Sequence, residues 1–108
     1  MATFMVETYV IKPEKQADFP AFVKKFFAWK EKRPELFKEV KSYKMFAQML
    51  GGNWGGYVEM WEFESLADVE KCFSRVMQDK EFMTTIYPEF ATLEVPGTDS
   101  INIWNSVT

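Results

Sequence analysis

The order in which hydrophobic periodicity changes along the chain is the feature that most restricts its fold. Runs rich in β-branched and aromatic residues, whose side chains alternate between two faces, predict β-strands. Stretches in which apolar residues recur every three or four positions predict amphipathic helices. One helix is predicted after the first strand and another after the third, and the predicted strands cover residues 3–11, 38–50, 57–63 and 100–107.

Individual residues mark where the helices begin and end. Asp18 is the expected N-cap of the first helix, since Pro20 cannot donate its backbone N–H, and Pro34 ends that helix. Ser65, followed three residues later by an acidic residue, resembles a capping box and begins the second helix. A further short helical segment after it is interrupted by Pro88.

The resulting order, β-α-β-β-α-β, predicts an α+β fold of the ferredoxin-like type. We expect one domain over residues 1–108, with a four-stranded antiparallel sheet and two main helices on one face of it. From the right-handedness of crossover connections we also expect the first and third strands to lie side by side and parallel at the centre of the sheet.

Both faces of this predicted sheet are apolar. The first strand places Phe4 and Val6 on one face and Met5 and Tyr9 on the other, in a chain with 18% aromatic residues. Two helices cover only one face, and an exposed patch of several aromatic rings is larger than monomers usually show. We therefore expect a second copy of the chain to cover the remaining face, giving a symmetric homodimer.

The composition excludes several kinds of chemistry. The 108 residues include no histidine and one cysteine, so Ser-His-Asp catalysis, histidine-ligated metals and an intrachain disulfide are excluded. Cys72 lies on the apolar stripe of the second helix, where we expect a buried and inert thiol. We expect no cofactor and no metal site. The net charge of −3 and the lack of a long apolar run predict a cytoplasmic protein without nucleic-acid or membrane partners.

Two glutamates are the candidate catalytic residues. Glu7 and Glu59 lie in the middle of neighbouring strands on the same predicted face. Two carboxylates in an aromatic enclosure raise at least one pKa, as a general base near neutral pH requires. Alternatively, each pairs with a lysine such as Lys44, accepts a tyrosine hydroxyl or lies at a solvated rim, and the nearby aromatic rings form a dimer core. The candidate ligand-binding residues are Tyr9, Tyr57, Trp61 and Phe63.

Two segments that lead into the helices resemble those of a known superfamily. They are residues 11–14 (Ile-Lys-Pro-Glu) and 61–65 (Trp-Glu-Phe-Glu-Ser). Together with the order of elements, they resemble the dimeric α/β-barrel superfamily, which includes antibiotic-biosynthesis monooxygenases, haem-degrading monooxygenases and NIPSNAP-type proteins. The resemblance implies a barrel formed by the sheets of two subunits. It also implies a ligand cavity within the barrel or between each sheet and its helices.

The resemblance also discriminates among branches of that superfamily. The haem-degrading branch uses an asparagine on the first strand, a tryptophan at the end of the third and a histidine on the second helix. Here Glu7 takes the first position, Phe63 or Trp61 the second, and no histidine exists for the third. The resemblance therefore disfavours haem degradation. It leaves the cofactor-independent quinone-forming monooxygenases, whose phenolic substrate itself supplies the electrons.

Two functions stay open at this point. The first is a dimeric α/β-barrel protein that binds a small aromatic or hydrophobic molecule, with cofactor-independent monooxygenase activity driven by a carboxylate base. It predicts a cavity of roughly 300 Å³ or more that reaches a carboxylate with a raised pKa. The alternative is a non-catalytic structural or stress-associated binding module, which predicts a barrel filled by its own side chains.

Overall fold

A computed structural model describes residues 2–108 and contains one four-stranded sheet. The strands lie in the order β2-β3-β1-β4, and each pairs antiparallel with its neighbours. The chain therefore has the predicted α+β, ferredoxin-like class of fold. The strands are β1 (Thr3–Val10), β2 (Ser42–Ala47), β3 (Gly56–Phe63) and β4 (Ser100–Asn105).

One expectation about this sheet is wrong. The first and third strands are neighbours, as expected, but they run antiparallel, with Glu7 directly opposite Glu59. β1 and β2 both run antiparallel to β3, so they point the same way. The crossover through the first helix therefore joins β1 to β2, and the hairpin that follows returns β3 between them. The right-handed rule applies to that parallel pair, whose members are not adjacent.

The helices begin close to where individual residues predicted. α1 (Phe19–Lys32) follows Asp18, although the Asp18 side chain makes no capping hydrogen bond. α2 (Leu66–Met77) is capped as predicted, because the Ser65 Oγ accepts a hydrogen bond from the Asp68 backbone N–H at 3.3 Å. No helix in residues 2–108 has the length and apolar character needed to cross a membrane.

The third helical segment differs from a plain α-helix. A π-helical turn (Phe82–Ile86) runs directly into α3 (Tyr87–Leu93). Pro88 follows the π-helical turn and lacks the backbone N–H that a helix interior uses. The hydrogen-bond pattern of this helical segment therefore changes next to Pro88, while the helix itself continues to Leu93.

The helices cover the face of the sheet that carries both candidate glutamates. Tyr9, Trp61 and Phe63 on this face are almost fully buried, between 1% and 6% exposed. Their core partners on the helices and adjoining turns include Phe19, Phe22, Trp29, Leu36, Phe37, Val69 and Cys72. The aromatic rings beside the glutamates thus belong to the interior of one chain.

No helix within residues 2–108 covers the opposite face of the sheet. That face carries Phe4 and Val6 from β1, Phe46 from β2, Val58 from β3 and Trp104 from β4, by register. Phe46 is 48% exposed and Trp104 is 55% exposed. Apolar residues are therefore accessible on the face that sequence analysis expected a second copy to cover.

Candidate functional site

A cavity of about 340 Å³ lies between the sheet and the helices, which is the size that the enzyme hypothesis predicts. The sheet contributes the polar base of the cavity, and the helical segments contribute most of its apolar wall. The residues of the wall that carry ionisable groups are Glu7, Tyr9, Glu59, Cys72, Tyr87 and Asp99. The rest of the wall consists of Phe, Met, Val and Ile side chains.

Glu59 is held at the base of the cavity by two tyrosines. Its side chain is buried, and the residue is only 8% exposed. The Tyr9 hydroxyl donates to Oε2 at 2.5 Å, and the Tyr43 hydroxyl donates to Oε1 at 2.7 Å. Hydrogen bonds of this kind offset the cost of burying a carboxylate. Glu59 therefore accepts tyrosine hydroxyls, which is one of the structural roles considered from sequence. It does not pair with Lys44, because Lys44 lies opposite Met60 on the other face of the sheet.

These contacts shift the acidities of all three groups. Burial raises the pKa of Glu59 above its usual range, while the two hydroxyl donors act in the opposite direction. Burial, and next the charge of the Glu59 carboxylate, raise the pKa values of Tyr9 and Tyr43 well above their ordinary value. The two tyrosines are therefore hydrogen-bond donors near neutral pH, and Glu59 is their acceptor.

Glu7 lies on the neighbouring strand and is surrounded by acidic groups. Burial is the main cause that raises its pKa to about 9, followed by the nearby side chain of Asp99 and the charge of Glu59. Glu7 therefore holds its proton at neutral pH. The base of the cavity combines a protonated carboxyl group at Glu7 with a hydrogen-bonded acceptor at Glu59.

Three of the four predicted ligand-binding residues lie outside the cavity wall. Tyr9 does contribute to the wall, but Tyr57, Trp61 and Phe63 do not. The Tyr57 hydroxyl donates to Gln16 Oε1 at 3.2 Å, and its ring centroid lies 4.6 Å from that of Phe19.

The core covers the other two residues, and over Trp61 it does so with neighbouring rings. The Trp61 ring centroid lies 4.2 Å from that of Tyr43 and 5.7 Å from that of Phe37. Phe63 is 1% exposed. Aromatic side chains packed on the sheet therefore fill the interior at these positions. The aromatic rings of the wall come mostly from elsewhere, namely from Phe22, Phe26, Phe37, Phe73, Phe82, Tyr87 and Phe90.

Sequence reasoning missed Tyr43 and Asp99. Tyr43 could have been found from the alternation of side chains along β2. It lies on the same face as Met45, which is the residue that pairs with Glu59. No sequence pattern pointed to Asp99, since it follows the turn at Pro96 and Gly97 and belongs to no periodic run. Only the pairing of β4 with β1 places it beside Glu7.

The π-helical turn contributes two residues to the wall, Phe82 and Ile86. The Asp79 carboxylate fixes the start of this turn by accepting from the Phe82 backbone N–H at 3.0 Å. Arg33 in turn donates to Asp79 at 2.6 Å, which ties the turn to the end of α1. Single π-turns within helices occur frequently at functional sites, where they redirect side chains.

Cys72 lies in the cavity wall, but its thiol is inert. The Sγ donates to the Leu36 carbonyl oxygen at 3.4 Å. Burial raises the pKa of this thiol to about 11, so the nucleophilic thiolate is scarce at neutral pH. Within residues 2–108, no group of three or more Cys, Asp or Glu side chains is arranged to hold a metal ion.

No protein-family model and no curated protein matches the sequence. Solved structures match it over nearly its full length. A NIPSNAP family protein from Agrobacterium tumefaciens str. C58 has a TM-score of 0.77 at 15% identity, covering 99% of this chain and 94% of that one. An antibiotic biosynthesis monooxygenase has a TM-score of 0.69 at 14% identity, with 98% and 99% covered.

A third similar structure is a dimeric protein of unknown function and ferredoxin-like fold from Bacteroides fragilis NCTC 9343. Its TM-score is 0.67 at 12% identity, with 97% of this chain and 96% of that one covered. These neighbours match the superfamily that the sequence resembles, and at such identities the likeness concerns the fold. The chain is therefore a ferredoxin-like α+β domain with the fold seen in NIPSNAP proteins and antibiotic biosynthesis monooxygenases.

Proposed function

We propose that this protein is a homodimer that binds a small aromatic molecule in the cavity of each subunit and transfers a proton through Glu59. The observation that carries the proposal is that the neighbouring carboxyl groups of Glu7 and Glu59 lie at the base of a largely apolar cavity of about 340 Å³. An apolar enclosure with a few convergent polar groups is the usual form of a small-molecule site.

Glu59 is the proposed base. A carboxylate has about four acceptor positions, and the hydroxyls of Tyr9 and Tyr43 use two of them. The remaining lone pairs can accept a proton from a phenol in the cavity. Glu7 keeps its proton at neutral pH in the free protein, so Glu59 is the carboxyl group available to accept the phenolic proton.

The proposed reaction is the oxidation of a phenol to a quinone by molecular oxygen. Loss of the phenolic proton to Glu59 makes the ring electron-rich enough to reduce O₂. One oxygen atom replaces a ring hydrogen and becomes the new carbonyl group, and the other leaves as water. The substrate supplies all the electrons, so this reaction needs no external reductant.

The second subunit is proposed to cover the open sheet face. Support comes from the accessible apolar side chains there, including Phe46 and Trp104, and from the Bacteroides fragilis neighbour, which is described as dimeric. Packing two such faces together removes apolar surface from water without closing the cavity, which lies on the other side of the sheet.

Oxygen uptake with a panel of phenols and hydroquinones tests the activity. We expect Glu59→Gln to lower the rate about 100-fold or more, the usual contribution of a general base. Glu14→Gln changes an exposed glutamate outside the cavity wall and serves as the matched control. An unchanged rate in both Glu7→Gln and Glu59→Gln would remove the proton-transfer role. Binding of the same phenols without oxygen uptake would leave a non-catalytic binding module.

A further inference from the structure

The charges around the cavity have one sign. The three wall residues that carry acidic carboxyl groups are Glu7, Glu59 and Asp99, and no Lys or Arg of residues 2–108 contributes to the wall. Glu94 lies close enough to raise the pKa of Glu7 further. An anionic ligand would therefore meet repulsion from several directions, while a cation would meet attraction.

Two of these acidic groups have no compensating partner. Glu59 has its two tyrosine donors, but no lysine or arginine in the described part of the chain forms an ion pair with Glu7 or Asp99. Nearby, the Glu94 Oε2 is buried without a hydrogen-bond partner. Asp99 is exposed to solvent and Glu7 is partly buried, so a bound cation would chiefly favour the ionised form of Glu7.

The apolar part of the wall suits a cation as well. Aromatic rings attract ammonium groups through the negative potential of their faces, and thioether sulfurs are polarisable. Phe22 and Phe90 are in mutual contact in the wall, with ring centroids 5.9 Å apart, and Phe90 also meets the Tyr9 ring at 4.8 Å. Met5 and Met45 line the sheet side.

We infer that the ligand of this cavity is a phenol with a protonated alkylamine side chain, whose ammonium group lies between Glu7 and Asp99. This inference rests on the proposed function and narrows its substrate class. The phenol of such a ligand faces Glu59, while the amine faces the acidic pair on the β4 side of the cavity. Phenolic carboxylates and phosphates are excluded by the same arrangement.

Cation binding is coupled to proton release. In the unliganded protein the groups that face Glu7 are Glu59 from β3, Asp99 before β4 and Glu94 after α3. An ammonium group beside Glu7 favours its ionised form, so ligand binding at pH 7 releases protons, up to one per ligand. For a permanent cation such as phenyltrimethylammonium, affinity therefore rises with pH until about pH 9.

Calorimetry with three phenols that differ only in their tails tests the inference. Tyramine carries an ammonium group, tyrosol a hydroxyl group and 3-(4-hydroxyphenyl)propionate a carboxylate. We expect tyramine to bind about tenfold or more tightly than tyrosol, and the carboxylate most weakly. Titration in two buffers of different ionisation enthalpy measures the released proton.

Two variants locate the ammonium group. Asp99→Asn and Glu7→Gln are each expected to remove most of the preference for tyramine over tyrosol, whereas Glu14→Gln keeps it. Equal or weaker binding of tyramine would overturn the cation inference and leave the proposed aromatic site in place. Binding of none of the three phenols would overturn both. Circular dichroism of each variant checks that it is folded.

Discussion

Replacing Glu7 by glutamine is expected to change how stability depends on pH. The folded protein raises the pKa of Glu7 from 4.5 to about 9. Below pH 4.5 the group is protonated in both the folded and the unfolded chain, so its contribution to stability is fully present there. Between pH 4.5 and 9 only the folded chain holds the proton, and this contribution is lost as the pH rises.

The size of the effect follows from the number of protons. One proton held only by the folded state lowers the free energy of unfolding by about 1.4 kcal/mol per pH unit. From pH 5 to pH 7 the loss due to Glu7 is therefore about 2.7 kcal/mol. Small domains are stable by only about 5–15 kcal/mol, so this loss is a large share of the total. Glutamine has nearly the same shape, does not ionise and escapes the loss.

Urea unfolding followed by tryptophan fluorescence at pH 5, 6, 7 and 8 measures the effect. We expect the wild-type slope to be steeper than that of Glu7→Gln by about one proton, and the variant to be the more stable protein at pH 8. Glu59 contributes a slope of the same sign, so the variant keeps part of the dependence. Parallel curves for wild type and Glu7→Gln would refute the assignment of a raised pKa to this residue. Glu14→Gln should follow the wild type.

Three further substitutions test separate features. Tyr43→Phe removes one donor to Glu59 and should cost about 1–2 kcal/mol in urea unfolding, and no loss would mean that this hydrogen bond is unimportant. Trp104→Glu should shift the protein from dimer to monomer in light scattering while phenol binding persists, and an unchanged mass would argue against the sheet-face dimer. Ser65→Ala should cost about 1 kcal/mol through loss of the α2 cap, with Ser65→Asp as the variant that retains it.

The sequence predicted the fold largely because its local signals agree with one another. Strand alternation, the Ser65 cap and the position of Pro34 each mark an element or its end, and the structure has those elements in the predicted order. The prediction of parallel central strands was wrong because the crossover rule was applied to the first and third strands. The crossover through α1 joins β1 to β2, and the rule concerns those two strands.

The candidate site was harder to predict than the fold. The same alternation that puts Glu7 and Glu59 on one face does not say which face the helices cover, since both faces are apolar. Nor does it say where the core leaves space, which depends on how rings such as Phe19 and Phe37 pack over Tyr57 and Trp61. Packing of this kind involves residues distant in sequence and leaves no periodic signal.

Asp99 could not be predicted from the sequence either. Its role depends on a contact between the start of β4 and the middle of β1, more than 90 residues earlier in the chain. In the sequence, a turn residue of this kind looks like any other polar residue. Tyr43, in contrast, could have been found by extending the face assignment from β3 to β2.

The π-helical turn gives the cavity a simple route to new specificity. A π-turn contains one more residue than the α-helical turn that it replaces. Deletion of one residue between Phe82 and Ile86 would restore the α-helical register and rotate the side chains on one side of the deletion by about 100° relative to those on the other. Such a change would present different side chains to the ligand and leave the sheet, with Glu7 and Glu59, untouched. In this fold, the apolar part of the cavity wall can therefore change separately from the carboxyl groups on the sheet side.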